Sequence, residues 1–101
     1  TEETTGVDLV RDMVLVAAGN RLPYKQEDVA AGACLECRIY AEDPENNFMP
    51  SPGVIKVREA EGRNVRLDSA AYAGFEVSLH YDPMIAKLCT WGRTRESAIS
   101  N

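Results

Sequence analysis

The chain has 101 residues and a net charge of −5, so it suits one domain and argues against a nucleic-acid or anionic-membrane surface as its main partner. A chain of this size is expected to bury roughly 60 to 65% of its unfolded surface, leaving a modest core. Its 45% hydrophobic and 27% charged residues are ordinary for a soluble globular chain; no run approaches the ~20 apolar residues of a membrane span, and the opening TEETTG has no signal-peptide character.

Residues 5 to 18 read as a helix. Thr5 is placed to cap it, and Asp8 three residues on gives a capping-box-like pair that suits the helix dipole. Val10, Met13, Val14 and Ala17 recur at i, i+3, i+4 and i+7 and build one apolar stripe. Gly19 is a stop, with Asn20 and Pro23 beyond it. Residues 20 to 32 form a connector with Gln26–Asp28 exposed. Cys34 to Ala41 carries the first strand signal. Asp43-Pro44-Glu45-Asn46-Asn47 and Pro50-Ser51-Pro52-Gly53 are turns.

Val54 to Glu59 is rich in β-branched residues and reads as a strand. Gly62-Arg63-Asn64 turns into a strand at Val65–Ser69, and Ala73-Gly74 breaks the chain again. Glu76 to Tyr81 alternates, with Val77, Leu79 and Tyr81 on one side. Asp82-Pro83 interrupts before a buried strand from Met84 to Trp91. Thr94 caps a short helix starting at Arg95. Helix, strands at turn-spaced intervals and helix make an α+β fold with an antiparallel sheet of about four to five strands. Both ends read as cuts through a larger protein.

Chemistry is sparse along most of the chain. The three cysteines, in a chain without secretory features, point to a reducing compartment. Cys34 and Cys37 spell C-x-x-C, but on a strand they face opposite ways, so no metal or redox site is expected. Cys89 reads as core filler. The glycines are scattered and form no phosphate-cradling loop. The single histidine, His80, is either a proton-transfer group or a partly exposed strand residue. The acidic clusters at the start, at Glu42–Glu45 and at Glu59–Glu61 read as solvated surface.

The strand at 34 to 41 is different. With side chains alternating, Glu36, Arg38 and Tyr40 share one face; Leu35, Cys37, Ile39 and Ala41 share the other, which must pack on the core. A permanently charged, planar donor is therefore mounted on a rigid element with a carboxylate one pleat away. Two readings follow. Arg38 could stabilise a developing oxyanion, or it could form a plain surface ion pair with Glu36.

TGVDLV, AAG, ECRIYAEDP, FMPSPG, VRLDS, YAG, HYDPMIAKL and G-x-T-R-E-x-A-I, in that order over nearly the whole chain, resemble the carboxyl-terminal part of biotin carboxylases. These are the ATP-dependent components of acetyl-CoA, acyl-CoA and pyruvate carboxylases that carboxylate biotin on a carrier protein. The resemblance implies that Arg38 lies beside the biotin ureido group and stabilises the enolate formed there. Asp82 is a further candidate, either shaping the pocket near Arg38 or serving as a strand-breaking Asp-Pro pair, and Glu36 is a further candidate at the biotin site. No residue of the chain is expected to hold a metal. ATP and Mg2+ would be bound by an ATP-grasp region upstream of Thr1, and the base that deprotonates biotin also falls just before Thr1. The chain alone is therefore expected to be inactive.

On this resemblance residues 1–32 are a helix and connector leading from the ATP-grasp region, and residues 33–101 are the biotin carboxylase C-terminal domain, cut short at its C-terminus. Implied partners are the biotin carboxyl carrier protein or domain, the carboxyltransferase component and a second copy in a homodimer, with Arg66 either near the dimer contact or simply solvated. No nucleic acid or membrane partner is expected. The location would be the cytoplasm, or the mitochondrial matrix in a eukaryote. Lys87 would extend its stem along apolar surface and keep its amine wet.

The chain departs from the family at Glu3 and Thr4, where apolar residues are usual, and at Ala33, often histidine. Its turn at 61–64 is shorter and more polar than in many relatives. NNFMPSPG and HYDPMIAKL lean towards the propionyl or methylcrotonyl types. The alternative is a structural or dimerisation module with no active-site residue of its own.

Overall fold

In the N-terminal segment two helices stand where one was expected. A computed structural model describes residues 1–56 and 62–101. Helix α1 spans Glu2–Thr5 and ends at Gly6, whose φ of 70° is left-handed and cheap for glycine. Helix α2 spans Leu9–Ala17. Asp8, not Thr5, caps it: its carboxylate accepts from the Arg11 backbone N–H at 2.9 Å. Thr5 instead donates to the Thr1 carbonyl at 2.8 Å. The left-handed turn at Gly6 stops any helix that begins at Thr5, and an anionic cap also suits the dipole of the new start.

The apolar stripe of α2 faces outward. Val10 is 68% exposed, Met13 71% and Val14 64%. The buried residue on this helix is Asp12, whose carboxylate accepts a hydrogen bond from the Tyr24 hydroxyl. That bond ties the connector back onto the helix. Asp12 raises the Tyr24 pKa, first through the hydrogen bond, with burial and charge adding. Gln26–Asp28 form an exposed single 3-10 turn, as expected of the connector.

Seven strands follow among the described residues: β1 (Ala33–Tyr40), β2 (Glu42–Asp43), β3 (Met49–Pro50), β4 (Gly53–Val54), β5 (Val65–Ser69), β6 (Glu76–Val77) and β7 (Met84–Gly92). Helix α3 covers Arg95–Ser100. The fold is α+β with antiparallel pairing between an N-terminal helical segment and a short C-terminal helix, as the sequence indicated. The strands divide into a three-stranded sheet of order β1-β7-β5 and two ribbons, β2–β3 and β4–β6.

Several boundaries differ from expectation. The first strand runs one residue earlier at each end. Pro50 and Gly53, expected in a turn, lie in β3 and β4. Proline is tolerated there because the ribbon is two-stranded and every strand is an edge. The strand expected over Glu76–Tyr81 stops at Val77, where its pairing with Gly53–Val54 ends. Leu79 and Tyr81 are consequently exposed, and of the side shared by Val77, Leu79 and Tyr81 only Val77 is buried. Of the strand expected over Val54–Glu59, only Val54 is strand; residues 57–59 lie outside the described residues, as does Glu61 of the following turn. Asn64 adopts φ 62°, the left-handed geometry that turns the chain into β5.

The register sorts the central sheet into two faces. Leu35, Cys37 and Ile39 face the same side as Thr90, Leu88 and Ala86 of β7 and Val65 and Leu67 of β5. Helix α3 sits at one end of this apolar face. Its Ala98 carbonyl accepts from Thr90 Oγ1 at 2.6 Å, and Asn101 Nδ2 donates to the Trp91 carbonyl at 2.9 Å. Thr94 and Ser97 cap it reciprocally. The rest of the apolar face is poorly covered: Cys37 and Ile39 are exposed. The expectation that it packs on a core within this chain is not met. The buried apolar residues among those described are Val77, Cys89 and Ala98.

Candidate functional site

The opposite face of the sheet is charged. Glu36 and Arg38 on β1, Lys87 and Cys89 on β7, and Arg66 and Asp68 on β5 lie in two cross-strand rows, Glu36–Cys89–Arg66 and Arg38–Lys87–Asp68. Arg38 sits in the regular part of β1, one residue before the irregularity at Ile39/Tyr40. Its Nε donates to Glu36 Oε1 at 3.2 Å. The guanidinium side chain is 59% exposed, so it points into open space and not into the apolar layer. Glu36, and to a lesser extent Tyr40, hold its pKa above the ordinary value. Among the described residues, its terminal Nη groups donate no hydrogen bond. A fixed cation with a carboxylate behind it and open donors in front can receive a planar oxygen acceptor.

The other expected site residues are placed less tellingly. Asp82 is exposed, and its Oδ1 accepts from the Met84 backbone N–H at 2.8 Å, shaping the turn into β7. This turn lies at the end of β1 nearer Arg38: the Ala41 N–H donates to the Pro83 carbonyl at 2.9 Å. Asp82 thus serves the local backbone and borders the same end of the sheet as Arg38. His80 is exposed in a turn, with its N–H on Ser78 Oγ at 3.1 Å. Lys87 is half-buried and directly opposite Arg38. Cys34 and Cys37 lie on opposite faces of β1, as the pleat requires.

Arg66 holds the densest charge network. Its Nη1 lies 2.7 Å from Glu3 and 3.7 Å from Glu2, and its Nη2 lies 3.0 Å from Asp68. Its Nε is buried with no acceptor among the described residues. The sequence marked Glu3 as unusual but gave no sign that a residue 63 positions later would pair with it. Nor did any signal connect Tyr24 to Asp12, which lies off the apolar stripe.

Among the described residues no three His, Cys, Asp or Glu side chains are grouped to hold a metal ion. No helix among them is long and apolar enough to cross a membrane. Arg38, with its open Nη donors, fits a neutral or anionic oxygen such as a ureido carbonyl.

Known proteins share both sequence and fold with this chain. The model of the family "Biotin carboxylase C-terminal domain" matches residues 36–101. Biotin carboxylase 1 of Bacillus subtilis is 52% identical over 99% of the chain, which spans 23% of that protein. The mitochondrial methylcrotonoyl-CoA carboxylase subunit alpha of Mus musculus is 47% identical over 99% of the chain, here 14% of the relative. The biotin carboxylase domain dimer of Hydrogenobacter thermophilus 2-oxoglutarate carboxylase, solved with MgADP, ADP and bicarbonate, superimposes with a TM-score of 0.90 at 42% identity, covering 98% of the chain and 22% of that structure. The chain therefore spans about a quarter or less of the relatives it matches. The chain belongs to the biotin carboxylase C-terminal domain family.

Proposed function

We propose that the chain works as part of an ATP-dependent biotin carboxylase and supplies one wall of its biotin site. The observation that carries this reading is the setting of Arg38, a strand-mounted guanidinium with open Nη donors. Biotin, when bound, supplies the ureido nitrogen that accepts the carboxyl group. Arg38 would place its donors at the ureido carbonyl oxygen, where negative charge gathers as that nitrogen loses its proton. Glu36, on the Nε side, would keep the guanidinium plane from rotating. Asp82 would border the pocket through the turn it shapes.

On this reading ATP and Mg2+ bind outside this chain, in an upstream ATP-grasp region. Residues 1–32 lead in from that region and residues 33–101 form the C-terminal domain. Biotin arrives on a carrier protein or domain, a carboxyltransferase component takes the product, and the whole protein is a homodimer. The family match, the solved dimer with MgADP and bicarbonate, and the carboxylase relatives support these assignments. A mitochondrial relative supports a matrix location in a eukaryote and bacterial relatives a cytoplasmic one.

One observation favours the rival reading, a dimerisation module without a catalytic residue: Arg38 already has an ion-pair partner in Glu36 at 3.2 Å. Exposed pairs of this kind are common and worth little. The two readings part on one substitution. In the longer protein, Arg38→Ala should lower kcat for biotin carboxylation about a hundredfold, the typical loss of one oxyanion donor. Undiminished biotin-dependent turnover would leave Arg38 as a surface ion pair.

A further inference from the structure

Arg66 occupies the same sheet face as Arg38, on the far strand. It faces Cys89, and Cys89 faces Glu36. Its guanidinium reaches in two directions. One Nη pairs with Glu3, and more loosely Glu2, on α1; the other pairs with Asp68 on its own strand. Helix α1 has no buried residue. Apolar packing therefore does not hold it on the sheet. Besides Arg66, the Thr4 carbonyl accepts from the Gly32 N–H at 2.7 Å where β1 begins.

We propose that Arg66 is a positioning residue for the biotin-carboxylating reaction: it clamps α1 to β5 and so fixes the segment that, on the reading above, joins the upstream region to the sheet. The inference rests on the reading of Arg38 given under the proposed function. Three carboxylates surround this one cation, so a neutral residue at 66 leaves Glu2, Glu3 and Asp68 to repel one another. The segment then has a single backbone tie, at Gly32, and swings away. Planarity matters as well, because the fork must serve Glu3 and Asp68 at once, which a lysine ammonium does less well.

The test uses the full-length protein with free biotin. Arg66→Gln should lower kcat roughly ten- to a hundredfold, the scale that a displacement of about an ångström can reach from a change far from the chemistry. The Gly32 amide should exchange with solvent faster in the same variant. The charge swap Arg66→Glu with Glu3→Arg rebuilds the pair to residue 3 but not the one to Asp68, so it should recover both readouts in part, which a lost contact to a second subunit would not. If Arg66→Gln does not melt cooperatively, Glu3→Gln opens the clamp without touching the sheet, and its result decides. A swap no better than the worse single variant overturns the proposal, as does faster Gly32 exchange with full turnover. Arg38→Ala is the control. If it keeps full turnover, the reading of the site fails. If it loses turnover while the clamp variants do not, only the clamp falls.

Discussion

Cys37 and Cys89 lie on opposite faces of the central sheet and in opposite environments. Cys37 is exposed on the uncovered apolar face, whereas Cys89 is 5% exposed beneath the Glu36–Arg66 row. Burial pushes the Cys89 thiol up, Cys34 adds to the shift, and the Arg66 cation opposes it. The thiolate is the nucleophile, so both exposure and proton affinity protect Cys89. At pH 8 and without denaturant, iodoacetamide should modify Cys37 first, half-buried Cys34 next and Cys89 roughly tenfold more slowly than Cys37. Mass spectrometry of timed samples reads the order. The sign of the shift fixes a second expectation. A thiol whose pKa is raised on folding supports the fold below its ordinary value of 9.0 and withdraws that support as pH climbs past it. Labelling of Cys89 should therefore follow unfolding. Equal rates at Cys37 and Cys89 would mean that the charged face is open.

The elements most legible in the sequence were those whose pattern and partner agree. β1 and β7 carried the strongest strand signals and pair along nearly their full length. The Glu36/Arg38 face followed directly from their two-residue period. α3 was legible from Thr94, and the structure shows why it holds: it docks on Gly92. A β-carbon at Gly92 would lie 2.9 Å from the Ala98 backbone nitrogen, and that backbone cannot yield. Gly92→Ala should cost about 1–3 kcal/mol by overpacking, and Thr94→Ala about 1 kcal/mol through the lost cap. Both act on the same docking, so the double variant should cost less than the sum. Denaturant titration measures all three, and strict additivity would show that cap and contact are independent. Elements were misread where local pattern met no partner. The alternation at Glu76–Tyr81 runs past the end of its ribbon, and the stripe on α2 finds nothing to cover it. In the site, Arg38 was legible because pleat geometry is local. The Arg66–Glu3 pair was not, because charge pairing across 63 positions leaves no periodic trace.

At the scale of the whole molecule, too little is buried. The accessible surface is 8180 Å² for a mass of 11.1 kDa, whereas a compact monomer of that mass exposes about 5,700 Å². The radius of gyration is 17.5 Å, against about 13 Å for a compact domain of this length. The chain thus buries only about half of its unfolded surface, below the share its length led us to expect. Large apolar side chains contribute to the excess: Val10, Met13 and Val14 on α2, Phe48 and Met49 at the β2–β3 ribbon, and Ile99 on α3 are all exposed. Burial of such side chains is the main favourable term in folding, at roughly 25 cal/mol per Å², and most of it is unrealised here. The 101-residue chain on its own should therefore bind an apolar dye such as ANS and unfold over a broad denaturant range with a low m-value, since m scales with the surface exposed on unfolding. Position should then separate two apolar substitutions. Val10→Ser, on the uncovered stripe, should change stability by less than about 0.5 kcal/mol and reduce dye binding. Val77→Ala, at a buried site, should cost about 1–3 kcal/mol. A sharp transition without dye binding would show that the isolated chain covers its apolar faces in a way its surface area does not allow. A large cost at Val10 would place α2 against a partner already present in the 101 residues.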